Sequence, residues 1–179
     1  MTKTDRPIVN SSEAAQRRFS AHILSLATSH LALWAIDLAI RLGVVEALRA
    51  EPAGLRSADI AERLSLDPEM TATLCRAAYT AELLEFGGEH YSLASGADVL
   101  LDANSPLYAR GLVGVGLGLR EQLERLRQDI PTGRRSWWDQ IGPEYLEAVA
   151  DTGQAFYTRL VSLLTQQFPA IQERLRSGG

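Results

Sequence analysis

Apolar side chains return every three or four residues along most of this chain, the period of an amphipathic helix. Residues 1–10 lack the pattern and read as a flexible leader. Ser11 or Ser12 can cap a helix running to about residue 29. "HLALWAIDLAIRLG" follows as a second helical stretch, apolar almost all round and closed by Gly43, as expected of a helix buried on several sides. "VVEALRA" makes a short helix before the breakers Pro52 and Gly54.

The next stretch, "LRSADIAERLSLDPEMTATLCRAAYTAELLE", holds two short helices joined by a tight turn. Ser57 is placed to cap the first, which carries Ile60, Ala61 and Leu64 on one face. Asp67 is a strong N-cap for the second, and Pro68 suits its first position. "LLEFGGEHYSLA" then reads as a hairpin turning at Gly87-Gly88. A helix-turn-helix followed by a hairpin is a winged helix. Beyond it, Ser105-Pro106 opens a long helix ended by Pro131 and Gly133. Ser136 with Asp139 suggests a capped short helix bearing Trp137 and Trp138. Gly142-Pro143-Glu144 opens another long helix to about Phe168, and Pro169 a last short one. The predicted fold is mainly α: a winged helix-turn-helix with a small hairpin wing and long N- and C-terminal helices. Strands and helices do not alternate, which excludes a parallel sheet.

A chain of 179 residues with 46% hydrophobic and 22% charged residues can bury a core. Net charge is −4, which gives no general attraction to nucleic acid or anionic membrane. Across residues 55–93, Arg56, Arg63 and Arg76 face seven acidic residues, a local net charge of −4. A helix reading a major groove needs the opposite balance. Cys75 is the only cysteine, expected to be a packed thiol in a reducing cytoplasm. The longest uncharged run, residues 19–36, includes two His, three Ser and a Thr, and is expected to be too polar to span a bilayer.

Gly114, Gly116 and Gly118 spell G-x-G-x-G, but their flanks are helical and no strand precedes them, as a phosphate-cradling loop would require. Gly111, Gly114 and Gly118 share one helix face and predict a close helix crossing. His30, Asp37 and Arg41 share one side of their helix within about 40°. Asp37 and Arg41 form an i,i+4 pair, either a structural ion pair or the polar lining of a pocket. No metal-ligand spacing and no nucleophile–base set is found, so neither metal nor catalytic residues are assigned.

"ALWAIDLAIRLGVVEALRA", "LRSADIAERLSLDPEMTATLCRAAYTAELLE" and "YSLASGADVLL" resemble the N-terminal winged-helix region of class I S-adenosylmethionine-dependent methyltransferases. Bacterial small-molecule O-methyltransferases are the nearest likeness. Leu42, Gly43, Glu46, Ala47 and Leu48 match an LG-x-x-[DE]-A-L stretch. Ala61, Leu64, Leu66, Asp67 and Pro68 match A-x-x-L-x-L-D-P. Glu82 departs from the pattern, where such sequences often carry Gly. The resemblance covers about residues 30–179 and implies a division into 11–104, helices and winged helix-turn-helix, and 105–179, a helical extension. The closing "RLRSGG" is similar to the family's lead into the first Rossmann strand, so the catalytic half is expected to be absent from this chain.

By that resemblance the chain supplies a dimer interface and part of the wall or lid of a small-molecule substrate pocket. His30, Trp34, Asp37, Arg41, Phe156 and Tyr157 are the pocket candidates. The cofactor, S-adenosylmethionine, belongs to the full-length protein and is not expected to bind here, nor is methyl transfer expected of this chain alone. The competing readings are a winged-helix transcriptional regulator binding DNA as a dimer and a plain dimerisation module. Residues 12–42, 106–127 and 143–168 hold more apolar surface than a winged helix can cover, which predicts a homodimer through the long helices.

Overall fold

The computed structural model describes residues 11–135 and 141–168, with positions 170, 173, 174 and 177 of the tail. The expected leader and the Trp137/Trp138 helix lie outside the described residues, as does most of the segment after Pro169. In chain order come α1 (Ser11–Arg41), α2 (Val44–Arg49), α3 (Ser57–Leu64), α4 (Pro68–Thr80), β1 (Leu84–Gly87), β2 (His90–Leu93), a 3-10 turn (Ala97–Leu100), α5 (Arg110–Asp129) and α6 (Pro143–Gln167). The expected class, mainly helical with one two-stranded antiparallel hairpin, is what the chain adopts.

The helix-turn-helix forms for the reasons its sequence suggests. The Asp67 carboxylate accepts the Met70 N–H at 2.9 Å, and Pro68 occupies the first turn. Ser57 does not cap α3 as expected; it is the helix's first residue, after Arg56, and no side chain caps that end. Arg56 instead forks onto Asp59 at 2.7 and 2.9 Å. That hydrogen bond, with its attendant charge, holds the Asp59 carboxyl below its usual range.

Both helices end in left-handed residues that are not glycine, Ser65 (φ 55°) and Glu82 (φ 59°). At the end of α4, the Leu83 N–H reaches the Ala78 carbonyl and the Glu82 N–H that of Tyr79, both at 3.0 Å. This is a Schellman closure, which normally favours Gly at the position Glu82 occupies. The wing pairs Gly87 with His90 across Gly88-Glu89, one residue later than the expected turn. Leu55 adds a one-residue third strand, exchanging hydrogen bonds with Tyr91 at 2.8 and 2.9 Å.

Two expectations for the long helices need correction. The two helical stretches at the N-terminus are one continuous helix of 31 residues. Its hydroxyls do not break it, because Thr28 and Ser29 donate back to the carbonyls of Leu24 and Ser25 at 2.8–3.0 Å. Those internal bonds also lower the polarity of the run. By length and composition alone α1 qualifies as a membrane span, its most apolar 18-residue window having a mean hydropathy of 1.7, contrary to the expectation above. Its C-terminal end is nevertheless part of a protein core. α5 begins at Arg110, not at Ser105-Pro106, because the Ala109 N–H is committed to the Val99 carbonyl and Ser105 Oγ holds the Leu107 N–H in a turn.

The core gathers Ala39 and Ile40 of α1, Val44, Val45 and Leu48 of α2, Ile60, Cys75, Ala78, Leu84 and Tyr91. Against it lies an antiparallel pair, α5 on α6. A Cβ on Gly111 would meet Thr152, one on Gly114 would meet Ala148, and one on Gly118 would meet Tyr145, each at 2.4–2.8 Å. The expected close crossing of the glycine face is therefore between α5 and α6. The halves of the long helices farthest from this core project from it.

Candidate functional site

α1 works as a two-sided wall. Ala35, Ala39 and Ile40 face the core, while His30, Trp34, Asp37 and Arg41 lie on the side turned to α5. Arg41 Nε donates to Asp37 Oδ2 at 2.8 Å; the Asp37 side chain is 14% exposed and that of Arg41 60%. Trp34 Nε1 donates to His30 Nε2 at 3.2 Å, with the rings edge to face at 6.5 Å.

The candidates on α1 divide between two clefts. Asp37 and Arg41 line one of about 290 Å³ together with Arg110, Glu144, Glu147 and Asp151. Gly111 and Gly114 also line it. At its edge Tyr108 donates a long bond of 3.4 Å to Asp151. Burial, then the Asp151 carboxylate, pushes the Tyr108 hydroxyl up from its ordinary value. Four acids against two arginines suit a polar or cationic group there, not an anion.

His30 and Trp34 line the second cleft, about 490 Å³, whose floor is Gly116, Leu117 and Leu119 and whose rim carries Arg120, Glu124 and Arg127. Arg127 is held by Glu124. An aromatic and aliphatic floor with a charged rim can hold a small, largely apolar molecule. Phe156 and Tyr157 line neither cleft. They pair edge to face at 5.5 Å on α6 and are 62% and 60% exposed.

Sequence reasoning missed Arg110, Glu144, Glu147 and Asp151, the charges opposite Asp37–Arg41. Pairing the glycine face of α5 antiparallel with α6 would have found them. It also missed a groove of about 560 Å³ between α1 and α4. No periodicity within one helix could reveal a space between two.

The glycines do not fit a nucleotide-type cofactor. Gly114, Gly116 and Gly118 lie inside α5 against Ala148, Leu33 and Tyr145, with their amides committed to the helix. The G-x-G-x-G run therefore forms no phosphate-cradling loop. Among the described residues no three His, Cys, Asp or Glu side chains come together to hold a metal. Cys75 is buried, and desolvation raises its thiol to about 11.

The fold is mainly helical with a small two-stranded antiparallel hairpin, an arrangement consistent with a winged helix. Residues 24–103 match the family model for the O-methyltransferase dimerisation domain, which supports an N-terminal dimerisation domain of that family. No curated protein matches the chain.

Proposed function

We propose that this chain is the N-terminal dimerisation and substrate-pocket or lid domain of an S-adenosylmethionine-dependent O-methyltransferase acting on a small molecule. The observation carrying the proposal is the matched segment, residues 24–103, which contains the α1 wall facing both clefts. In this reading residues 11–104 form the dimerising unit, and residues 105–179 a helical extension towards a Rossmann domain that binds the cofactor. His30, Trp34, Asp37 and Arg41 would form the pocket wall. Phe156 and Tyr157, on the projecting end of α6, would meet substrate only once that catalytic domain is in place. The homodimer would use the long helices, whose exposed apolar residues include Phe19, Leu112 and Leu163.

The test is calorimetry with S-adenosylmethionine on this chain and on a version extended along its reading frame. The expected result is no binding by the chain and micromolar binding by the extended protein. Micromolar binding by the chain itself would refute the division of labour. Light scattering should give a dimer at tens of micromolar; a monomer would remove the dimer reading.

A further inference from the structure

The cleft between α1, α5 and α6 holds charges left without a partner. Arg41 donates to Asp37 through Nε alone, at 2.8 Å, and nothing among the described residues engages its two Nη groups. Arg41 is the last residue of α1, and most of its side chain is exposed. Glu144 and Glu147 lie one turn apart on α6, exposed, and line the same cleft. Neither carboxylate has a hydrogen bond or ion pair among the described residues.

The remaining charges of the cleft are committed or stand apart. Asp37 is largely buried and holds Arg41. Asp151 accepts the Tyr108 hydroxyl. Arg110 stands close enough to Tyr108 for its charge to act on that hydroxyl. One helix end thus presents a guanidinium with only its Nε–H in use, towards a wall with two unpaired carboxylates.

We infer that Arg41 is an internal clasp: with Nε kept on Asp37, its Nη groups bind the carboxylates of Glu144 and Glu147 and close the cleft from within. The cleft suits a cationic group, and the clasp supplies one from the chain itself. The contact is autoinhibitory, because an ammonium or guanidinium ligand enters only by displacing Arg41. The inference rests on the reading above for the use of the cleft, though not for the contact.

Closure needs side chains to turn and no helix to move. Val113 pins α5 in the core, and the glycine face of α5 pins α6 to it. The two glutamates are exposed and free to rotate, and a cleft of about 290 Å³ is small. Holding Nε on Asp37 already restricts the Arg41 rotamers, so a second contact costs less entropy than a first. A guanidinium fork can serve Asp37 and a facing carboxylate together, which a lysine ammonium cannot do in the same geometry. Ion pairs this open to solvent are weak and screened by salt, so the clasp can be released.

Nitrogen-15 NMR of the full chain reads the guanidinium directly. Rotation averages the Nη signals of a free arginine, and a held one shows them apart. Loss in Arg41→Lys assigns the signals to Arg41. At low salt they should stand apart, and they should merge in the Glu144→Gln/Glu147→Gln variant while the Nε–H signal persists. Added methylguanidinium should merge them at concentrations where sodium chloride does not. Merged Nη signals in the unmodified chain at low salt would overturn the inference. So would separate signals that persist in the double variant, or an equal effect of the two salts. None of these results alters the calorimetry with S-adenosylmethionine, which tests the reading above on its own.

Discussion

Adding one methyl group at Gly111 tests the α5–α6 crossing directly. Glycine inside a helix costs about 1 kcal/mol relative to alanine, so Gly111→Ala taken alone should stabilise α5 by that amount. The added Cβ, however, would lie 2.4 Å from the Thr152 backbone nitrogen and 2.6 Å from the Asp151 carbonyl carbon. Backbone atoms of a packed helix cannot swing aside as a side chain can. Restoring ordinary contact needs the helices to part by about 1 Å, and overpacking of this kind costs about 3 kcal/mol. The net expectation is a loss of about 2 kcal/mol, or about 4–8 °C in Tm for a chain of this size. Gly116→Ala is the internal control, since its Cβ would meet only the tip of Leu33, at 3.1 Å. That variant should be neutral or stabilised by a few tenths of a kcal/mol, as the propensity gain exceeds a small side-chain adjustment. Urea denaturation followed by far-UV circular dichroism, at one fixed protein concentration, reads both. A Gly111→Ala midpoint equal to or above that of the unmodified chain would refute the crossing. So would equal shifts in the two variants.

Other outcomes follow from single positions. Gly54→Ala should destabilise by about 2 kcal/mol or more in the same assay, because its φ is +83° and its Cβ would lie 2.7 Å from the Tyr91 carbonyl oxygen; an unchanged midpoint would contradict this. Glu82→Gly should raise the midpoint by about 0.5–1 kcal/mol, by relieving a left-handed residue at the end of α4. The Cys75 thiol, raised from 9.0 to about 11, favours the protonated folded form. The stability it contributes is complete below pH 9 and lost between about 9 and 11, so Cys75→Ala should flatten that part of the stability–pH curve. Duplex DNA should bind weakly and without sequence preference at physiological salt, given the net −4 across residues 55–93. Nanomolar selective binding in a gel shift would favour the regulator reading instead.

The elements that could be read from sequence are those fixed by short-range chemistry. Asp67-Pro68 names a helix start, alternation around two glycines names a hairpin, and three glycines on one face name a close crossing. Glu82 is instructive in the opposite sense. Its departure from a frequent Gly was legible, but only the backbone shows that the position is left-handed. What sequence misplaced depended on distant partners. The start of α5 moved because the Ala109 N–H found Val99, ten residues back. The candidate site was half legible. The Asp37–Arg41 pair follows from spacing, but the charges facing it come from α5 and α6. Phe156 and Tyr157 were grouped with it by resemblance and stand elsewhere on the molecule.

α1 shows why the dimer and pocket readings belong together. Its lower half is fixed on one side by Ala35, Ala39 and Ile40 in the core, and on the other carries Trp34, Asp37 and Arg41 into the clefts. A helix of 31 residues without a break moves as one body. Close-packed interiors transmit displacement, because they lack free volume to absorb it. On the proposed dimer, a partner packed on the exposed half of α1 bears on the same helix that positions Trp34 and Asp37. Ala32→Phe, in the groove between α1 and α4, should therefore perturb the clefts as well as any association through α1. The indole fluorescence of Trp34, compared with its Trp34→Phe background, reads the first effect separately from the second. A spectrum unchanged on dissociation would mean that α1 holds the clefts independently of the partner.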